Sequence, residues 1–261
     1  MPEAGTSSTK APKQISLRLA CVLIGLSVLL SSLVTDLICW PIASNAAQAK
    51  ATADMQLYLQ NNDTSQSTTY RRLADGWTRT LATMEGDVVF YGDSLTAGGA
   101  WEEYYPYLTS INLGVVGDTL YGLTERMPQI EALMCEKCFV MIGVNDLCYG
   151  STVENTLQFY EGLLQKLAAV CNDTGMQVYV QSVLPVEEAV TVYPIHNADI
   201  RRLNDGIQTL AQTYGMTYID VHSSMTDQSG SLEHGYTKDG LHLNEAGYDI
   251  WQQVLIPYLD E

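Results

Sequence analysis

The chain has 261 residues, of which 46% are hydrophobic and 16% are charged, and this composition fits one globular domain with an extension. Its formal net charge is −17, and the acidic excess lies beyond residue 50, where 28 acidic residues stand against nine basic ones. Such a surface repels phosphate backbones, so nucleic acid is excluded as the expected partner.

The first 50 residues form an N-terminal segment that is basic and then apolar. Residues 1–15 are small, polar and basic, which predicts disorder, and residues 19–35 form an uncharged run. A run of 17 residues is long for the core of a signal peptide and at the lower limit for a membrane span. Basic residues precede the run, so the positive-inside rule places the amino terminus in the cytoplasm and the body outside. The sequence predicts an exported protein, with a membrane anchor and a signal peptide cleaved within residues 44–49 as open alternatives.

A polar stretch separates the N-terminal segment from the predicted globular domain. Residues 51–67 are rich in Gln, Asn and Thr, which is typical of a linker. Apolar residues then recur every three or four positions over residues 68–84, which predicts an amphipathic helix. We therefore predict one domain over residues 68–261.

A short apolar strand leads directly to Ser94. An apolar run bounded by Asp87 and Gly92 predicts a strand buried on both faces. Open α/β sheets carry their chemistry just beyond the carboxyl ends of such strands, where Ser94 stands. Helix capping is the common alternative role for a serine at this position.

Aromatic residues cluster shortly after Ser94, at Trp101, Tyr104, Tyr105 and Tyr107. Rings at these positions suit stacking on a sugar ring or contact with an acyl chain, and we predict Trp101 and Tyr104 as substrate contacts. Packing in the hydrophobic core is the commoner use of such residues and stays open as the alternative.

Strands and helices alternate beyond the aromatic cluster. Ser151 and Glu154 have capping-box spacing, and Gly175 is expected to end the helix that they begin. This alternation predicts a three-layer α/β/α sandwich around a central, mainly parallel five-stranded sheet. The later strands are predicted at residues 110–116, 139–142, 177–183 and 216–221, and the helices at residues 120–134, 151–171, 199–214 and 244–259.

Cysteine spacing raises the question of a metal or redox site. Cys135 and Cys138 have the spacing of a zinc knuckle or redox pair, but no second pair or histidine cluster accompanies them. We therefore expect Cys135, Cys138, Cys148 and Cys171 to be buried thiols or to form disulfides in an exported protein.

Four short blocks contain the residue types that acyl transfer needs. They lie at residues 92–95, 112–119, 143–146 and 239–242. The reaction requires a hydroxyl nucleophile, a histidine to take its proton, a carboxylate to orient the histidine and donors for the oxyanion. Gly117 allows a backbone N–H to approach a ligand closely, and the Asn145 amide suits a developing negative charge.

In this order, the four blocks resemble those of the SGNH (GDSL-type) hydrolases, and the similarity covers residues 87–259. The resemblance implies that Ser94 is the nucleophile, His242 the base and Asp239 the acid that orients the base. It also implies an oxyanion hole made by the N–H groups of Ser94 and Gly117 and the side chain of Asn145. Neither a metal nor a cofactor is implied. The close spacing of Asp239 and His242 and the lack of a Gly-x-Ser-x-Gly elbow argue against the α/β-hydrolase fold.

Each assignment has an alternative. Gly117 fits a simple turn, Asn145 a helix cap and His242 a polar residue before the last helix, while Asp220 is the alternative orienting acid. The remaining histidines lack a carboxylate at comparable spacing, and they are His196, His222 and His234.

The resemblance leaves the substrate open, because similar enzymes include lipases, thioesterases, lysophospholipases and carbohydrate O-acetylesterases. Residues 184–194 form the predicted lid and are only moderately apolar. With the aromatic cluster, this favours an acetyl group on a carbohydrate. The first alternative is an enzyme acting on lipid acyl chains, since the pattern also resembles bacterial members labelled platelet-activating-factor-acetylhydrolase-like. The second is a catalytically inactive carbohydrate-binding module. The sequence makes no prediction of the oligomeric state.

Overall fold

The computed structural model describes residues 85–260 of the chain. The predicted membrane anchor or signal peptide at residues 19–35, the linker at 51–67 and the helix at 68–84 lie outside these residues. Within residues 85–260, no helix has the length and apolar character needed to cross a bilayer.

Five parallel strands form one sheet, which confirms the predicted architecture. The strand order is β2-β1-β3-β4-β5, and every neighbouring pair is parallel. Gly92, at the end of β1, lies opposite Gly114 and Met141, so the first three strands end at the same edge. The strands are β1 (Glu85–Gly92), β2 (Ser110–Gly114), β3 (Met134–Met141), β4 (Gln177–Gln181) and β5 (Thr217–Ile219).

Helices connect the strands, as parallel pairing requires. A 3₁₀ turn at His234–Tyr236 precedes the last helix. The described helices are α1 (Ser94–Ala97), α2 (Trp101–Tyr104), α3 (Leu120–Glu125), α4 (Met127–Ala132), α5 (Val144–Cys148), α6 (Val153–Thr174), α7 (Asn197–Thr213), α8 (His222–Met225) and α9 (Glu245–Leu259).

Two helix boundaries differ from the sequence prediction. The helical stripe predicted over residues 120–134, with an interruption at Pro128, is two helices, because Pro128 has no N–H to continue a helix and instead lies in the first turn of α4. Thr152 rather than Ser151 caps α6, and its hydroxyl accepts a hydrogen bond from Asn155 N at 3.2 Å. Gly175 ends α6 in the left-handed conformation, with φ of 80°, as predicted.

Stacked aromatic rings fill the core beside the sheet. Phe90 of β1 stacks on Trp101 at 4.2 Å between ring centroids and contacts Phe139 of β3 at 5.5 Å. Trp101 is 1% exposed, and its indole N–H donates to Thr96 O at 2.9 Å. The prediction that Trp101 contacts substrate is therefore wrong, because its ring is enclosed by the core. Tyr104 is half-buried, and its role as a substrate contact stays a prediction.

Candidate active site

Ser94 begins α1 immediately beyond the carboxyl end of β1. Asp93 caps this helix by accepting a hydrogen bond from Leu95 N at 2.9 Å. Gly92 is needed for the tight exit from the strand, because a Cβ there would lie 2.3 Å from Met141 O. As the first residue of a helix, Ser94 has an N–H with no acceptor inside that helix. The local fold thus presents both its hydroxyl and its N–H at the edge of the sheet.

Ser94, His242 and Asp239 form one hydrogen-bonded chain. The Ser94 Oγ lies 3.1 Å from His242 Nε2, although 148 positions separate the two residues. His242 Nδ1 lies 2.8 Å from Asp239 Oδ2. An Nδ1–H that donates to the carboxylate leaves the Nε2 lone pair to accept from the serine hydroxyl. This is the tautomer in which a histidine removes a proton from serine.

Asp239 is held in place by its own loop. Its second carboxylate oxygen accepts from the backbone N–H groups of Leu241 at 3.0 Å and His242 at 2.7 Å. Partial burial raises the pKa of Asp239, but the hydrogen bonds from His242 and these N–H groups outweigh that effect and lower the net pKa below its usual value. The carboxylate is therefore ionised at neutral pH.

The alternative acid and the other histidines lie in different contacts. The Asp220 carboxylate accepts from the backbone and hydroxyl of Ser223, at the start of α8. His196 and His234 are exposed, and they pair with Glu188, eight positions away, at 2.9 Å and with Glu187, 47 positions away, at 3.0 Å. Among the histidine side chains of residues 85–260, His242 alone hydrogen-bonds a serine hydroxyl.

The second and third blocks meet through a side-chain amide. Gly117 lies in the turn after β2 with φ of 77°, a conformation that favours glycine. No described residue accepts a hydrogen bond from the Gly117 N–H. Asn145 Nδ2 donates to Asp118 O at 2.8 Å, and this leaves the second hydrogen of the amide for another acceptor. The contact fixes the amide beside the Gly117 turn.

A buried ion pair lies beneath these blocks. Arg126 Nε donates to Asp118 Oδ2 at 2.7 Å, and the two side chains are 2% and 1% exposed. The same guanidinium donates to Leu113 O at 2.7 Å and to Gly92 O at 2.9 Å. Arg126 thus ties the ends of β1 and β2 to the turn that carries Gly117. Sequence reasoning missed this residue, although an arginine within the apolar stripe of residues 120–130 was the available signal.

Two further buried carboxyl groups surround the ion pair. Burial is the main cause that raises the pKa of Asp93 to about 7 and that of Asp146 to about 8, and the nearby Asp118 charge contributes. Asp146 accepts from Leu120 N at 3.2 Å, while one oxygen of Asp93 has no partner among the described residues. The Asp118 carboxylate is paired with Arg126, whereas burial and the neighbouring Asp118 charge favour the protonated forms of Asp93 and Asp146.

Part of the stretch predicted as a lid, residues 184–194, belongs to the hydrophobic core. Leu184 and Val186 are each 1% exposed and belong to the core. The rest of this stretch, residues 187–194, forms a loop, and its Glu187 N donates to Gly240 O at 2.8 Å. The loop thus lies directly against the segment that carries Asp239.

The four cysteines beyond residue 84 are free thiols. Cys138 and Cys148 are buried, and Cys135 and Cys171 are partly buried. Burial raises the pKa of both Cys135 and Cys148 to about 12, so neither is a reactive thiolate at neutral pH. Among residues 85–260, no group of three or more His, Cys, Asp or Glu side chains is arranged to hold a metal ion.

A parallel sheet with a serine, a histidine and an aspartate hydrogen-bonded in series at its carboxyl edge places the protein in the class of ester hydrolases. The chain belongs to the GDSL-like Lipase/Acylhydrolase family, whose model matches residues 90–250. A solved structure titled as a putative platelet activating factor from Streptococcus pneumonia is 29% identical, with a TM-score of 0.66. The match covers 72% of this chain and 92% of that one.

Similar proteins of known sequence differ in what their names say they do. An N-acylneuraminate cytidylyltransferase from Streptococcus agalactiae is 27% identical over 187 residues, which are 72% of this chain and 42% of that protein. Platelet-activating factor acetylhydrolase IB subunit alpha1 from Bos taurus is 26% identical over 173 residues, covering 63% of this chain and 71% of the relative. This chain spans less than half the length of the cytidylyltransferase.

Proposed function

We propose that this ester hydrolase is a serine esterase in which Ser94 is the nucleophile, His242 the base and Asp239 the residue that orients the base. The observation that carries the proposal is the continuous hydrogen-bonded chain of 3.1 Å from Ser94 Oγ to His242 and 2.8 Å from His242 to Asp239. Both distances lie within the range expected between a nucleophile, its base and the group that orients the base.

The proposed reaction passes through a covalent acyl-enzyme. His242 Nε2 accepts the proton of Ser94 Oγ as the oxygen attacks the ester carbonyl, and it then returns the proton to the departing alcohol. Water repeats the sequence against the acyl-enzyme and releases the carboxylic acid. Asp239 stays ionised throughout and stabilises the imidazolium that forms in each half-reaction.

Three donors are proposed to stabilise the oxyanion. They are the N–H of Ser94 in the first turn of α1, the N–H of Gly117 and the second hydrogen of the Asn145 amide. The support is that the first two N–H groups have no acceptor among the described residues and that the contact with Asp118 O holds the amide in one orientation. Donors held in this way need no reorganisation when charge develops.

We propose that the enzyme cleaves the ester bond between an acetyl group and a carbohydrate. The support is the set of polar side chains beside the loop of residues 187–194, among them Asn197, Arg201 and Ser229, and the bovine relative whose name describes an acetylhydrolase. A lipid acyl ester is the second candidate, because apolar side chains on the protein surface include Val116 at 72% and Val192 at 89% exposure.

Export stays part of the proposal. Its support is the uncharged run at residues 19–35 behind three basic residues. Protease added to intact cells or spheroplasts should degrade the body of the protein. Protection equal to that of a cytosolic control contradicts export.

The test of the proposed substrate is a series of chromogenic esters of increasing acyl length, measured beside acetylated sugars. Activity that falls steeply beyond the butyrate ester, together with turnover of acetylated sugars, supports the carbohydrate proposal. Activity that rises toward octanoate and longer chains contradicts it and favours the lipid candidate.

A further inference from the structure

A polar groove lies beside β5, away from Ser94. Its volume is about 610 Å³, and it is lined by one side of α7 and by the segment that joins β5 to α8. The lining includes Arg201, Asp205, Tyr218 and His222. None of these side chains takes part in the proposed reaction, so the groove is unexplained by the chemistry at Ser94.

His222 restricts what the groove accepts. Its side chain is almost entirely buried, with 8% exposure, and its Nδ1 lies 3.0 Å from Val183 O. A carbonyl only accepts, so Nδ1 carries the hydrogen and Nε2 keeps a free lone pair. Burial lowers the pKa of His222, which keeps the ring neutral. No described residue donates to Nε2, so a ligand there must supply a donor such as a hydroxyl group.

Arg201 joins this groove to a second one. It also lines a groove of about 470 Å³ together with Glu188 and Gly230. The Arg201 guanidinium lies beside Gly230, because its Nη1 is 3.5 Å from the position that a Cβ on Gly230 would occupy. No carboxylate among the described residues forms an ion pair with Arg201. The guanidinium therefore offers hydrogen-bond donors to a ligand that spans both grooves.

The second groove is lined in part by a loop that contacts the segment carrying Asp239. Glu188 belongs to the loop of residues 187–194, and Glu187 N in that loop donates to Gly240 O at 2.8 Å. Gly240 immediately follows Asp239. The two grooves share Ala198 and Arg201, and the loop that lines the second groove contacts the segment that carries Asp239.

We propose that the two grooves together form a subsite for a neutral glycan chain whose acyl group is cleaved at Ser94. Sugar hydroxyls both donate to the His222 lone pair and accept from Arg201, and the half-buried Tyr218 offers a ring edge or face to a sugar. An anionic chain is disfavoured, since Glu188, Asp205 and Asp220 line the grooves against one unpaired guanidinium. The inference rests on the proposed esterase function and extends it to a polymeric carbohydrate.

The test compares kcat/KM for partly acetylated, uncharged β-1,4-linked oligosaccharides from the monosaccharide to the hexasaccharide. The first variant is His222→Asn, because an asparagine amide still donates to Val183 O but lacks the Nε2 lone pair. The second is Arg201→Met, which keeps the length of the stem. The control is Lys166→Met, which removes an exposed cation from α6, outside both grooves.

Wild-type kcat/KM should rise with chain length through a falling KM. Each groove variant should lose about ten-fold in kcat/KM on the hexasaccharide, about the effect of one hydrogen bond to a ligand, and little on the monosaccharide. Lys166→Met should behave like wild type. An equal loss on all chain lengths, or a wild-type enzyme that turns over acetylated sugars without length preference, overturns the subsite alone. A wild-type enzyme that cleaves only long-chain lipid esters overturns the proposed substrate as well.

Discussion

The two ends of the sheet bury a cation for different purposes. Toward the amino end of β3, Lys137 is 8% exposed, and its Nζ donates to Tyr258 O at 3.0 Å and Leu259 O at 2.9 Å. At the carboxyl end, Arg126 donates to the ends of two strands and to Asp118. Lys137 satisfies carbonyls at the end of α9, which is a common way to finish a helix.

The difference lies in the carboxyl groups around each cation. Lys137 contacts no carboxylate in the described part of the chain, whereas Arg126 pairs with Asp118, whose charge in turn acts on the buried carboxyl groups of Asp93 and Asp146. Burying an excess of carboxyl groups costs stability, so their clustering beneath Ser94, Gly117 and Asn145 indicates a need beyond folding. We interpret the carboxyl end as a framework that fixes the proposed oxyanion donors.

Replacing Asn145 by Ala should give the largest effect among these framework residues. Its amide hydrogen bond to substrate strengthens as charge develops, so kcat should fall about 10²- to 10³-fold while KM changes little. Steady-state kinetics on one short-chain ester measures both constants, and thermal melts measure the folded fraction.

The matched control is Asn204→Ala. Asn204 is a buried asparagine whose amide pairs with Val183 N at 2.8 Å and Val183 O at 2.9 Å at the end of β4. It should lose about 1–3 kcal/mol of stability and keep kcat per folded molecule. Asp146 is unsuitable as a control, because its carboxyl group accepts from Leu120 N. A near-wild-type kcat for Asn145→Ala removes that residue from the proposed site.

Replacing Arg126 by Lys should give the next largest effect. A lysine keeps the charge but cannot hold Asp118, Leu113 O and Gly92 O at once, so the Gly117 turn should shift. Small misplacements at a reacting centre cost up to about 10²-fold, and we expect a 10- to 100-fold fall in kcat with KM unchanged. The inhibition constant of a trifluoromethyl ketone, whose adduct mimics the oxyanion, should rise by the same factor.

The other end of the sheet supplies the control for Arg126. Lys137→Met should lower the melting temperature without changing kcat per folded molecule or the affinity for the ketone. If Arg126→Lys also affects stability alone, the two cations have the same role and the comparison fails.

The smallest effect concerns how stability depends on pH. Burial raises the pKa of Asp93 from 3.8 to about 7, so between these values the folded state retains a proton that the unfolded state has lost. The unfolded state then binds fewer protons, and the free energy of unfolding should fall as pH rises through this window. Asp118, Arg126 and Asp146 are the charged or titratable groups coupled to it.

Asp93→Asn should make the free energy of unfolding fall less steeply between about pH 4 and pH 7. Denaturant unfolding at a series of pH values measures this slope. The remaining slope should continue toward pH 8, where Asp146 ionises. An unchanged slope in Asp93→Asn means that the buried carboxyl group is ionised throughout.

Local patterns in the sequence predicted the order of strands and helices. The four blocks at residues 92–95, 112–119, 143–146 and 239–242 predicted that Ser94, Asp239 and His242 lie together. Apolar runs located β1 and β3, and Gly175 ended α6 where expected. Ser94 and His242 approach each other across 148 positions, and only the resemblance of whole blocks indicated this.

Other features depend on contacts that no local pattern reports. The sequence places an aromatic ring at Trp101, but it does not show that Phe90 stacks on that ring. Packing in the core and stacking on a ligand therefore could not be distinguished from the sequence. Arg126 donates a hydrogen bond to Gly92 O, which is 34 positions earlier in the chain. The pKa of Asp93 is raised because its side chain is buried in the folded chain. Both arise only when the strand ends converge.

The central claim is that Ser94 forms the covalent intermediate. The most direct measurement is peptide mapping by mass spectrometry after rapid acid quenching of the enzyme during turnover of p-nitrophenyl acetate, with Ser94→Ala treated in parallel. The account predicts one acetyl group on the peptide that carries Ser94 and, in the alanine variant, neither adduct nor turnover above about one thousandth of wild type, since losing a nucleophile costs several orders of magnitude. An acetyl group on another residue of an active enzyme, or an alanine variant that keeps more than about a tenth of the activity, contradicts it.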